Sequence, residues 1–128
     1  MPRTAEDVEN YLLQLDRRFE SDQGTYLLAG DGGTPIALRV APPIVAVRVS
    51  IGPAPKDDAH KLRLFRQLLA YNATDLMHVS YGLEGDQIVL SAALELENLD
   101  LNELEALLSD VDLALARHVP TLREAASA

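Results

Sequence analysis

Cysteine and tryptophan are absent from the 128 residues of this sequence. Without cysteine, the chain has no disulfide framework, no thiolate zinc site and no cysteine nucleophile. Basic residues are scarce, since 11 Lys and Arg stand against 20 Asp and Glu, which gives a formal charge of −9. This balance argues against a nucleic-acid partner, because the phosphates of nucleic acids require a basic surface.

Long hydrophobic runs are missing as well. Arg39 and Arg48 interrupt the longest candidate, so no stretch reaches the roughly 18 apolar residues of a membrane-spanning helix. Residues 1–15 carry acidic side chains where a signal peptide has an unbroken apolar core. We therefore expect no membrane segment and a cytoplasmic location. The length and the 48% hydrophobic content predict one globular domain over residues 1–128.

The clearest periodic pattern lies in Ile44–Ile51, where β-branched residues alternate with Ala, Arg and Ser. Residues 35–41 alternate in the same way, which predicts a hairpin. Pairing Leu38 with Val47 places all the large apolar side chains on one face, whereas a slip by one residue would divide them between two faces. The same argument predicts a second hairpin over residues 77–94, in which Tyr81 pairs with Leu90 and Leu83 with Ile88.

Three helices are predicted from apolar residues at helical spacing and from N-cap residues. They run over Thr4–Phe19, from Asp57 or Asp58 to about Tyr71, and from Asp100 to Pro120. After Pro120 the helix is expected to resume only weakly, with residues 119–128 as a partly frayed tail. A short strand at residues 25–29 precedes the first hairpin. The predicted fold is therefore α+β, with three helices on a twisted antiparallel five-stranded sheet in the order α-β-β-β-α-β-β-α.

Residues suited to catalysis or metal binding show no matching motif. His60, His78 and His118 are the only histidines, and none stands at the spacing of a helical metal site. We expect His60 in the first turn of a helix, His78 on the polar side of a strand and His118 near a helix C-terminus. No nucleophile elbow occurs either. The sequence predicts no catalytic residue, no metal ion and no cofactor, and thus no enzyme.

The second face of the predicted sheet carries small residues together with Arg39 and Arg48, which the predicted register makes diagonal neighbours. Two interpretations are open. The face is simply solvated, as small polar residues on an antiparallel sheet allow. Alternatively, it is a shallow surface on which another backbone lies, with the arginines as receptors for carboxylates.

The middle helix has more apolar residues than a one-sided helix requires. Its predicted stripe holds Leu62, Phe65, Leu68 and Leu69, and Leu64 lies beside it. Core packing explains Phe65 and Leu69. The excess makes a self-association surface the alternative.

The C-terminal half resembles type III secretion chaperone-like domains, including the YbjN-type branch. The resemblance rests on a helix that ends in LLAYN at residues 68–72, a hairpin over Met77–Leu94, and a helix start LDLNEL at residues 99–104. The order of elements, the length and the acidity agree over essentially the whole chain.

This resemblance implies a non-catalytic, homodimeric chaperone or adaptor that binds an extended segment of a client protein. The implied dimer interface combines the middle helix with the strand after it: Leu64, Phe65, Leu68, Met77 and Val79. The implied client surface includes the first helix and the first three strands, with Arg39 and Arg48.

A small-molecule sensor or enzyme accessory domain is the alternative from another class, with a pocket between the sheet and the helices. This alternative predicts a cluster of polar groups on the large apolar face of the sheet. The sequence supplies only the hydroxyl groups of Tyr11, Tyr26 and Tyr81 there, and a buried tyrosine usually needs no more than one partner.

Overall fold

A computed structural model of the chain describes residues 3–30 and 33–127. Its elements are α1 (Ala5–Gln14), β1 (Phe19–Asp22), β2 (Thr25–Ala29), β3 (Pro35–Ala41), β4 (Ile44–Pro53), α2 (Asp58–Thr74), β5 (Ser80–Glu84), β6 (Gln87–Glu95), α3 (Leu101–Leu113) and α4 (Val119–Ser127). A π-helical turn at Ala114–His118 joins α3 to α4, so these two form one continuous third helix. The α+β class with three helices is confirmed.

The sheet has six strands, where the sequence predicts five. The difference arises after α1, which ends at Gln14, so that Phe19 begins β1 instead of closing the helix. Asp16 adopts a positive φ of 58°, a backbone conformation that does not continue an α-helix. Phe19 continues the helical spacing of Leu12 and Leu15, so hydrophobic periodicity alone assigns it to the first helix and not to β1.

The strand order is β1-β2-β3-β4-β6-β5, and every neighbouring pair is antiparallel. Leu38 lies opposite Val47 and Tyr81 lies opposite Leu90, which confirms the predicted registers. A β-bulge follows Ser50 in the pairing of β4 with β6. These registers gather the large apolar side chains on one face, where the helices cover them.

The core lies between that face and the helices. Two N-caps set the first residues of α1 and α3: the Thr4 hydroxyl accepts from the Asp7 N–H, and the Asp100 carboxylate accepts from the Glu103 N–H. The helices then contribute these almost fully buried side chains: Val8, Leu12, Leu64, Leu104, Leu107, Leu108 and Val111.

The buried stripe of α2 differs from the predicted one. Leu64 and Leu68 face the core, whereas Leu62 and Leu69 are exposed. Phe65 is partly buried at the margin of the core. The expectation that Leu69 packs in the core is therefore wrong, and Leu64 takes that place. Closely spaced apolar residues define more than one helical stripe, and the facing sheet decides which stripe is buried.

Pro120 does not end the third helix, and this prediction is also wrong. The Val119 N–H donates to the Ala114 carbonyl five residues back, and α4 continues to Ser127. The missing N–H of proline costs little here, because Pro120 lies in the first turn of α4. The predicted frayed tail is thus helical as far as Ser127, and residue 128 lies outside the described residues.

Candidate protein-binding surfaces

The outer face of the sheet, opposite the core, carries small side chains around two arginines. Arg39 lies across from Ala46 and Arg48 lies across from Ala37, so the arginines are diagonal neighbours as predicted. Both arginines are exposed. Small neighbours leave the backbone of β3 and β4 accessible from this side. The face is therefore shallow, and its two cations are held on adjacent strands.

The two arginines differ in their partners. Arg48 on β4 forms an ion pair with Glu84 on β5, which crosses over β6 because β6 lies between those strands. Val89 belongs to the outer face of β6 and lies between Ser91, which pairs with Arg48, and Gln87, which pairs with Glu84. The Val89 side chain is nevertheless buried. Within the described part of the chain, Arg39 has no salt bridge or hydrogen bond. Arg39 is therefore the more available of the two for a carboxylate of a partner.

Two surfaces each carry a pair of exposed apolar side chains. Leu27 and Ile44 belong to the outer face of the sheet, on β2 and β4. Leu69 and Leu83 border a groove of about 280 Å³ between α2 and β5, and we call it the α2–β5 groove. Its lining consists of Phe65, Leu68, Leu69, Asn72, Tyr81, Gly82 and Leu83. Exposed apolar surface of this kind is typical of contact sites.

The residues expected at a dimer interface are divided between the core and the surface. Leu64 and Leu68 of α2 and Val79, just before β5, are buried in the core. Phe65 is partly buried, and Met77 is 87% exposed. Only the last two therefore offer substantial surface of their own to a partner molecule, and of the buried three only Leu68 lines the α2–β5 groove.

A buried polar cluster lies behind that wall, around His118. Its ring is 2% exposed and stacks on the ring of Tyr71 with centroids 3.6 Å apart. Nε2 lies 2.9 Å from Asp75 Oδ2 and Nδ1 lies 3.1 Å from the Tyr81 hydroxyl. The expected position of His118 near a helix C-terminus is wrong, since the helix continues. His78 lies in the loop before β5 and not on the strand, whereas His60 is in the first turn of α2 as predicted.

Hydrogen bonding and burial in this cluster shift the pKa values of Asp75 and Tyr81. The hydrogen bond from His118, and after it the one from Thr74, holds the pKa of Asp75 below its ordinary value of 3.8. Burial raises the pKa of the Tyr81 hydroxyl above its usual range. His118 therefore lies between the Asp75 carboxylate and the Tyr81 hydroxyl. With both ring nitrogens and one ring face engaged, the imidazole acts as a positioning group.

Two further side chains fix the edge strand β5 and the loop before it. Asn72 of α2 accepts from the Tyr81 N–H at 2.7 Å and donates to the Tyr81 carbonyl at 3.1 Å. Asp110 of α3 accepts from the backbone N–H groups of Met77, His78 and Val79 at 3.1, 2.8 and 3.1 Å. Sequence reasoning missed these residues, because no local spacing marks a side chain that bonds a distant backbone.

A second groove, of about 400 Å³, lies between the sheet and the helices, where the small-molecule alternative predicts a pocket. Its lining is Ile51, Gly52, Pro53, Leu64, Ile88, Leu122 and Arg123. This lining is apolar except for one arginine, so it lacks the polar cluster that recognition of a metabolite requires. Within residues 3–30 and 33–127, no group of three acidic or histidine side chains could hold a metal ion, and no helix could span a membrane.

The chain matches a protein-family model over its whole length. The model of the CesT_Tir_1 family covers residues 1–128 of this chain. The comparison with curated proteins finds no match to this chain.

Solved structures share the fold at low sequence identity. A chain of the heterodimeric ExoU–SpcU complex from the type III secretion system of Pseudomonas aeruginosa is 22% identical, with a TM-score of 0.71 over 88% of this chain and 95% of that one. The Yersinia pestis secretion chaperone SycH, in complex with a fragment of YscM2, is 15% identical, with a TM-score of 0.63 over 93% and 99%. YbjN from E. coli, a putative transcription regulator, is 14% identical, with a TM-score of 0.59 over 90% and 93%.

Proposed function

The chain belongs to the CesT_Tir_1 family of type III secretion chaperones, and from this membership we propose that it is a non-catalytic chaperone or adaptor that binds an extended segment of a client protein. The observation that carries the proposal is the family match over the whole chain. The ExoU–SpcU and SycH–YscM2 structures support it, because both are complexes of two different proteins.

The outer face of the sheet is the proposed client surface. Leu27 and Ile44 offer apolar contacts, and the small residues around Arg39 let an extended backbone approach closely. A carboxylate of the client would bind Arg39 directly, whereas binding to Arg48 requires competition with Glu84. Backbone hydrogen bonds at an exposed strand edge would add affinity that depends little on the client sequence.

A homodimer is the second part of the proposal, formed through the α2–β5 groove. Phe65, Leu69, Met77 and Leu83 give this region accessible apolar surface. A second copy of the chain would bury that surface on both protomers, as a two-fold interface does. The proposed client surface lies on the outer face of the sheet, so one protomer can contact both partners.

Charge reversal on the outer face tests the client surface. The tagged wild-type protein is first used to capture its client from its native cells, and the client is identified by mass spectrometry. The Arg39→Glu variant and the Arg39→Glu/Arg48→Glu variant should then capture at least about tenfold less of that client. Thermal unfolding should be unchanged in Arg39→Glu, and the double variant, which also loses the exposed Arg48–Glu84 ion pair, should lose no more than about 1 kcal/mol.

The matched control is the double variant Lys56→Glu/Arg63→Glu, which changes the net charge by the same amount at exposed positions away from the outer face. It should capture the client as well as the wild type does. Equal losses in both double variants would indicate a general charge effect, and unchanged capture by Arg39→Glu would contradict the proposed surface.

A further inference from the structure

We propose that the groove of about 400 Å³ between the sheet and the helices is a binding site for a medium-chain fatty acid. We call it the β4–α4 groove, because its lining comes from the end of β4, the start of β6, α2 and α4. It shares no lining residue with the α2–β5 groove. The proposed ligand is a small molecule, so this inference is independent of the chaperone function proposed above.

A β-bulge lies at the sheet side of the β4–α4 groove. The pairing of β4 with β6 passes from Ser50 directly to Gly52, so Ile51 is an extra residue without a partner on β6. Gly52 adds no side chain, and a Cβ at this position would meet no atom within 4 Å. Bulges often occur beside binding sites, because they bend the strand and end its regular pairing. Here the bulge and the glycine leave open space at the end of the sheet.

The wall of this groove is aliphatic and belongs to the core. Leu64 of α2, Ile88 of β6 and Leu122 of α4 are between 1% and 3% exposed and line the groove with the tips of their side chains. Because the core holds these side chains in place, the groove is formed before a ligand enters. An aliphatic wall offers no hydrogen-bond partner, so it favours an alkyl chain over a polar molecule, and each methylene group that it buries should strengthen binding about fourfold.

Arg123 supplies the only charge among the described residues that line the β4–α4 groove. Its side chain is exposed, and it follows Leu122 directly on α4. A guanidinium group has five N–H donors, so it can bind a carboxylate in addition to the contacts that it makes within the protein. The groove therefore combines an aliphatic wall with one cation. This combination is complementary to an alkyl chain that carries a single carboxylate.

The charge of the whole chain makes this complementarity testable. With a formal charge of −9, the protein repels anions and attracts cations at long range. Adsorption to apolar surface alone would therefore favour an amphiphile with a positive head group. A bound alkyl carboxylate requires a local cation that offsets the repulsion. A carboxylate and a quaternary ammonium compound of equal chain length thus distinguish a site at Arg123 from simple adsorption.

Titration calorimetry with the full chain measures the affinity and the selectivity. The probe is sodium decanoate, kept below the concentration at which it forms micelles, and we expect one molecule to bind each chain. Hexanoate should bind at least about tenfold more weakly, because it lacks four methylene groups. Decyltrimethylammonium should also bind at least about tenfold more weakly, although its charge is opposite to that of the protein. Decanoate should raise the unfolding temperature, as a ligand of the folded state does.

Substitution of Arg123 tests the head-group contact. Arg123→Glu should weaken decanoate binding at least about tenfold, because it places a like charge beside the carboxylate. Arg123→Lys keeps the charge but loses the bidentate geometry, so it should weaken binding less than Arg123→Glu does. The matched control is Arg18→Glu, which changes the net charge by the same amount at an exposed position before β1. This control should bind decanoate as the wild type does.

Methyl NMR spectra locate the alkyl chain. Decanoate should shift the methyl signals of Ile51, Ile88 and Leu122 in the β4–α4 groove. The signals of Leu69 and Leu83, which line the α2–β5 groove, should stay in place. Shifts confined to Leu69 and Leu83 would instead place the chain in the α2–β5 groove and overturn the proposed site.

The remaining outcomes also count against the site. Absence of decanoate binding, equal binding of decyltrimethylammonium, or unchanged binding by Arg123→Glu would contradict a carboxylate site at Arg123. Signals of the β4–α4 groove that move only on self-association, or only with the identified client, would assign the groove to a protein partner. None of these results affects client capture, which is tested separately through Arg39.

Discussion

At the scale of single residues, His118 shows how one buried imidazole connects three elements. It comes from the π-helical turn, bonds Asp75 at the end of α2, and bonds Tyr81 on β5. The wider π-helical turn shifts the helix face relative to a regular α-helix, and such turns often position special side chains. The end of α2 and the strand beside it are thereby tied to the C-terminal helix.

Removal of this imidazole should destabilise the protein. His118→Ala leaves a cavity beside Tyr71 and leaves the buried Tyr81 hydroxyl without its partner, so we expect a loss of about 2–4 kcal/mol. Urea unfolding followed by circular dichroism measures the change. His78→Ala, an exposed histidine, is the control and should stay within about 0.5 kcal/mol of the wild type. Equal stability of the two variants would contradict the positioning role.

At the scale of elements, the connection from α2 to β5 depends on side chains more than on turn geometry. Asp110 on α3 accepts three consecutive backbone N–H groups of this connection. A carboxylate that gathers several N–H groups fixes a loop much as a bound anion does. The path of the loop, and with it the position of β5, is therefore set by a helix that is distant in sequence.

Loss of the hydrogen bonds to Asp110 should increase local opening of the loop before β5 without unfolding the whole domain. Asp110→Ala removes three charge-assisted hydrogen bonds at a partly exposed site, which should cost about 1–3 kcal/mol. Amide hydrogen exchange should accelerate at Met77, His78 and Val79, while the amides of β4 keep their relative protection. Glu105→Ala, on an exposed position of the same helix, should leave all these rates unchanged. Uniform acceleration throughout the chain would instead indicate global destabilisation.

At the scale of the whole molecule, the fold places its two candidate binding surfaces apart. The outer face of the sheet is opposite the helices, and the α2–β5 groove lies at one end of the strand order. A dimer through the groove would therefore leave the outer face for a client.

A charge placed in the groove should separate the proposed dimer. Leu69 is 67% exposed, so Leu69→Glu should leave the unfolding free energy of the monomer nearly unchanged. A carboxylate buried at the interface without a partner should weaken dimerisation at least about tenfold, measured by analytical ultracentrifugation. Leu13→Glu introduces the same change at an exposed leucine on α1 and should leave the dimer intact. A stable dimer of Leu69→Glu would remove this part of α2 from the interface.

The sequence by itself determined the α+β class and the hairpin registers, as Leu38–Val47 and Tyr81–Leu90 show. A strand exposes alternate residues to opposite faces, so the register follows once the apolar residues must share one face. N-caps were equally predictable, because Thr4 or Asp100 bonds an N–H only three residues away. Each of these features is encoded within a short stretch of chain.

Only the tertiary structure decided the features that depend on contacts between distant segments. Phe19 lies in a strand because it pairs with Leu28 of β2. Leu64 is buried and Leu69 is exposed because of the way in which α2 packs on the sheet. Asn72 bonds the backbone of Tyr81, on a strand that follows α2 in the chain. Local patterns specify which residues are apolar or able to cap, but the packing of whole elements determines which of them are buried, paired or left open.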